Sequence, residues 1–150
     1  MRTLDKVGLC RLRHSAADLL NDKDFNFHRR RIERLAKLWA PRLGINWFHV
    51  TLYFEREGID FTHPSSGWPA LATTCGNWEY MEFDIRWNMP VVEHTTDEEL
   101  EEAVIHEYMH VLVNEIQPEG GSPHEERVVT MLTKAVRWTF DHGVAEGKKP

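Results

Sequence analysis

The stretch from Asp97 to Glu115 constrains this chain more than any other, because it reads as a helix with almost no face to offer water. Leu100, Val104, Ile105, Met109, Val111, Leu112 and Ile116 are spread round most of its circumference, so the rest of the chain must enclose this helix. Its start is marked. Thr96-Asp97-Glu98-Glu99 forms a Thr-x-x-Glu capping box, and the acidic residues suit the positive end of a helix.

Inside this apolar helix lies His106-Glu107-Tyr108-Met109-His110. Burying two imidazoles and a carboxylate is costly unless each has a partner. Residues at i and i+4 share a helix face, so His106 and His110 can grip one metal ion together. Glu107 is the next residue round, placed to deprotonate a water that the ion holds. HExxH therefore predicts one bound zinc ion, with His106 and His110 as ligands and Glu107 as the base of a hydrolytic reaction.

The chain has 150 residues, enough for one domain with its own core over 1–150. Lys and Arg total 18 against 24 Asp and Glu, a net charge of −6 that leaves no general footprint for nucleic acid. Arg29-Arg30-Arg31 is the one dense basic run, expected to be a solvated helix face. Cys10 and Cys75 are too few for a disulfide framework, and read as buried or idle thiols. No signal-peptide core or membrane-length apolar run occurs, so the expected location is cytoplasmic.

Periodicity orders the elements as helix, strands, helix, helix. Ile32, Leu35, Ala36, Trp39 and Leu43 define a first long helix, ended by Pro41 and Gly44; Ser15 to Asp18 is a weaker capped turn before it. Phe48, Val50, Leu52 and Phe54 alternate with polar residues, which predicts a strand over 47–55. A connection over 56–67 and a weaker strand over 70–74 follow. In the next strand Met81, Phe83, Ile85 and Trp87 face one way and Tyr80, Glu82, Asp84 and Arg86 the other, until Asn88-Met89-Pro90 ends it. After a Pro/Gly loop at 117–123, Ser122 and Pro123 open a last helix to about His142, with Val128, Val129, Leu132, Ala135, Val136 and Phe140 as its buried stripe. The expected fold is α+β: a small three-stranded, largely antiparallel sheet packed with an N-terminal, an active-site and a C-terminal helix.

A catalytic zinc takes three protein ligands and keeps a fourth position for water. Two helices joined by a short loop pack antiparallel, bringing His124, Glu125 and Glu126 towards the histidines as candidates for the third. The same residues also suit the positive end of a helix, a role that needs no metal.

HEYMHVLVNE, a short Pro/Gly loop and HEERVVTML together resemble the small zincin-like metallopeptidases of bacteriophages and prophages, within the wider gluzincin-like group. The resemblance covers about residues 96 to 140. It lacks the metzincin extension, since Val113 and Ile116 stand where Gly and His are required, and the Asn-Glu-x-x-Ser-Asp signature of larger gluzincins is missing around Glu126. It implies a minimal zincin-like fold and a ligand glutamate on the last helix. In gluzincins apolar residues tend to follow that glutamate at plus two, five, six and nine; here Val128, Met131, Leu132 and Ala135 follow Glu126, whereas Arg127 and Thr130 take the first two places after Glu125. Glu126 fits that pattern better, with His124 and Glu125 as alternatives.

The implied activity is hydrolysis of a peptide or protein substrate, in the host cytoplasm for a phage-encoded chain, with neither membrane nor general nucleic-acid partners. Tyr80, His94, Arg127 and His142 are candidates to stabilise the developing oxyanion. In zincins a substrate strand commonly pairs with a sheet edge above the metal, which nominates the strand around 81–87 as a platform, or as ordinary framework. The alternative function keeps the zinc and the fold as a catalytically silent, regulatory or protein-binding module. A helical structural protein with a chance motif is the third reading.

Overall fold

The computed structural model describes residues 20–59, 67, 69–113 and 125–146. The readings at Cys10, Ser15 to Asp18, most of the 56–67 connection, Asn114 to His124 and the last four residues lie outside them. Helix α1 (Asp22–Arg42) opens on Asn21, whose side chain accepts the Asp24 amide at 3.0 Å, and its end is followed by Gly44 at φ 71°. Strands β1 (His49–Glu55), β2 (Ala72–Asn77) and β3 (Glu82–Asn88) come next, then a single turn α2 (Met89–Val92) and the long helices α3 (Asp97–Val113) and α4 (Glu125–Glu146). The α+β class holds, with four helices and three strands among the described residues. None of these helices is long and apolar enough to cross a membrane.

The sheet is mixed rather than largely antiparallel. Its order is β1-β3-β2, with β1 parallel to β3 and β2 antiparallel to it. A short 3-10 turn at Trp78–Tyr80 joins β2 and β3 as a hairpin, whereas a parallel neighbour needs a long crossover, which residues 56–81 supply. Since β3 is paired on both sides, it cannot accept a further strand and is not the platform expected there. Register places Val50, Leu52 and Phe54 of β1 opposite Phe83, Ile85 and Trp87 of β3, and Ala72, Thr74 and Gly76 of β2 on that same core face.

Met81 departs from the expected alternation. It sits at φ 55° in the turn before β3 and is 39% exposed, so the inward run begins at Phe83. At Gly76 a Cβ would collide with the Phe83 ring and the Glu82 carbonyl, so this edge strand comes close to its neighbour only because that side chain is missing.

Helix α3 is the centre of the packing. It lies against α1, α4 and β2, and Leu100, Val104, Ile105, Tyr108, Met109 and Val111 are all buried. The capping box forms as read, with the Glu99 amide donating to Thr96 Oγ1 at 3.2 Å and the Thr96 amide to Glu99 Oε2 at 3.0 Å. Leu112 is the exception among the expected apolar positions that are described, standing exposed. Arg31 also departs from expectation: it leaves the solvated basic face to bind the Thr95 carbonyl at 2.9 Å and Asp97 at 2.7 Å, tying α1 to the start of α3. Cys75 is an exposed free thiol, not a buried one.

Helix α4 is rotated relative to the expected stripe. Val129 and Thr133 are buried, and Val136 and Phe140 pack on the core, whereas Val128, Leu132 and Ala135 face outward. The spacing 129, 133, 136, 140 is itself helical, so either face satisfied the periodicity. Contacts with α3 set the choice, with Arg137 donating to the Glu98 carbonyl at 2.8 Å at one end and the acidic pair 125–126 meeting the histidines at the other.

Candidate metal centre

His106 and His110 project from one face of α3, as i and i+4 residues must, and their Nε2 atoms are 3.1 Å apart. Glu126, in the first turn of α4, closes the triangle: its Oε1 is 3.0 Å from His106 Nε2 and its Oε2 3.5 Å from His110 Nε2. Zinc bonds of about 2.0–2.1 Å at tetrahedral angles place donor atoms about 3.3 Å apart, the scale of this triangle. Two imidazole nitrogens and a carboxylate converging so closely make a donor set suited to a divalent cation, and the three residues fit zinc. The structure thus brings Glu126 to both histidines, although the gluzincin-type spacing that favoured it does not describe this helix. Val128, Met131, Leu132 and Ala135 are exposed rather than packed on α3.

Glu125 occupies a different place. Its Oε1 lies 2.7 Å from His110 Nδ1, the ring nitrogen turned away from the triangle. Accepting a proton there fixes the neutral ring with Nδ1–H, which leaves the Nε2 lone pair for a cation. Glu125 therefore stands behind His110 rather than within the triangle. The remaining candidate, His124, lies outside the described residues.

Charge in the cluster follows from these contacts. Burial disfavours the charged form of His110, yet hydrogen bonds to Glu126 and Glu125 outweigh it and raise its pKa to about 9. The hydrogen bonds from His106 and His110 hold the Glu126 carboxyl well below its ordinary range. Protons and a cation compete for the same nitrogen, so binding a metal at His110 releases a proton.

Glu107 is only 6% exposed, and that burial pushes its pKa above the ordinary carboxylate value, against the opposing hydrogen bond from Thr74. The Thr74 hydroxyl, on β2, donates to Glu107 Oε2 at 2.6 Å. Sequence reasoning missed Thr74; its signal was a hydroxyl on the core-facing side of a weakly patterned strand.

The four oxyanion candidates scatter. Tyr80 is 71% exposed in the 3-10 turn, His94 lies 3.9 Å from Glu93, and Arg127 is exposed in the first turn of α4. His142 hydrogen-bonds the Trp138 carbonyl at 2.8 Å, about 24 Å along the helix axis from Glu126. Comparison of the chain with protein-family models, curated proteins and solved structures yields no match.

Proposed function

We propose that this chain is a zinc-dependent metallopeptidase of minimal zincin-like form, with His106, His110 and Glu126 as ligands and Glu107 as general base. The observation that carries the reading is the convergence of three donor atoms beside a buried carboxylate that is anchored to an edge strand. Bound zinc would lower the pKa of water and polarise a carbonyl.

The chain's own groups supply the rest. Glu107 accepts the proton of the attacking water and returns it to the leaving nitrogen, and the burial that raises its pKa strengthens it as the proton acceptor. His110 is kept in the right tautomer by Glu125. β2 lies over α3 at the edge of the sheet, so its outer side is the place for an extended peptide to add by backbone hydrogen bonds.

The test combines elemental analysis of the purified protein with cleavage of a peptide library. One zinc per chain is expected, and Glu107→Gln should keep the metal and abolish cleavage. A Glu107→Gln protein that cleaves as well as wild type would falsify the mechanism. Retained zinc without any cleavage by wild type would instead favour the silent, protein-binding alternative.

A further inference from the structure

Alternate residues of β2, Ala72, Thr74 and Gly76, share the core face, where they lie opposite Trp87, Ile85 and Phe83. All three are small, which lets α3 come up beneath the edge strand. Only Thr74 carries a donor. Its Oγ1 is 2.6 Å from Glu107 Oε2, within the short range of a hydroxyl on an ionised carboxylate, and 3.4 Å from the Glu107 carbonyl oxygen. A hydroxyl has one proton to give, and the shorter contact goes to the carboxylate.

A glutamate side chain has three rotatable bonds, and a general base must present one oxygen to the reacting water within a few tenths of an ångström. Helix α3 fixes the Glu107 backbone but leaves those bonds free. We propose that Thr74 is a positioning residue for the general base: its hydroxyl clamps Oε2 so that Oε1 is the oxygen presented towards the metal centre. The strand that lines the substrate platform thereby also aims the base, coupling the register of β2 to the proton transfer.

This inference rests on the metallopeptidase reading, and the experiment separates the two. Cobalt(II) replaces zinc, so that visible absorption reports ion uptake, and acetohydroxamate is the probe because it chelates the cation while hydrogen-bonding a neighbouring general base. Wild type, Thr74→Val, Thr74→Ser, Glu107→Gln and the Thr74→Val/Glu107→Gln double variant are titrated. All should take up one cobalt. Thr74→Val should weaken acetohydroxamate by about tenfold, the loss of a hydrogen bond to a charged group, while Thr74→Ser stays within about twofold of wild type. In the Glu107→Gln background the valine should have no further effect.

Equal acetohydroxamate affinity for wild type and Thr74→Val overturns the inference. So does a valine effect that persists without the Glu107 carboxylate, because a merely structural hydroxyl would behave that way. Thr74→Ala supplies the same comparison if the valine variant does not fold. Failure of wild type to bind cobalt overturns the metal-centre reading itself.

Discussion

Removing the Glu125 carboxylate tests whether the proposed metal centre has a supporting layer or only its three proposed ligands. Glu125 Oε1 meets His110 Nδ1 at 2.7 Å, and the two side chains are 21% and 18% exposed, which sets them apart from the weak ion pairs of an open surface. A hydrogen bond to a charged acceptor in such a setting is worth about 1.5–3 kcal/mol, or about 10- to 100-fold in metal affinity. Glu125→Ala should therefore weaken zinc by that factor, measured by competition against a chromophoric chelator at neutral pH. Glu125→Gln should lose less, since an amide oxygen still accepts the Nδ1 proton. Glu126→Ala removes a donor atom and should cost more than either. If Glu125→Ala weakens zinc as much as Glu126→Ala, Glu125 is a ligand and the assignment made from these distances is wrong. No measurable loss would show that His110 needs no help to present Nε2.

Two further outcomes follow from the same contacts. In metal-free protein His110 has a pKa of about 9 against 6.5 for the unperturbed ring, so its contribution to stability is fully present below pH 6.5 and lost as pH rises through 9. Urea unfolding with chelator present should show a decline of at most about 3 kcal/mol across that window, absent in His110→Asn; a flat profile in wild type would refute the charged cluster. The rotation of α4 is tested by Val129→Ala, which should cost about 2 kcal/mol because that side chain is fully buried, whereas Val128→Ala, 40% exposed, should stay within about 0.5 kcal/mol. Similar losses at the two positions would restore the expected stripe, which contained both.

What the sequence made legible divides along the range of the forces involved. The α3 helix, its capping box and the histidine pair could be read because each rests on residues three or four apart, whose geometry the helix itself sets. The inward faces of β1 and β3 were legible for the same reason, at a spacing of two. The rotation of α4 was not, because two apolar faces compete on one helix. The face that won contains Thr133, buried with no hydrogen-bond partner among the described residues, which no hydropathy pattern selects over Leu132. The contacts with α3 distinguish the two, Arg137 on the Glu98 carbonyl at one end and Glu125 and Glu126 on the histidines at the other. The parallel β1–β3 pairing and the Thr74 contact likewise join residues about 30 apart, beyond any local period. Glu126 shows how the two ranges interact. A spacing pattern nominated it for apolar neighbours that in fact face water, yet the same rotation that exposes them carries its carboxylate to His106 and His110. The site thus sets the packing of α4 as much as the packing sets the site, so substitutions at Glu126 should perturb helix α4 as well as metal binding.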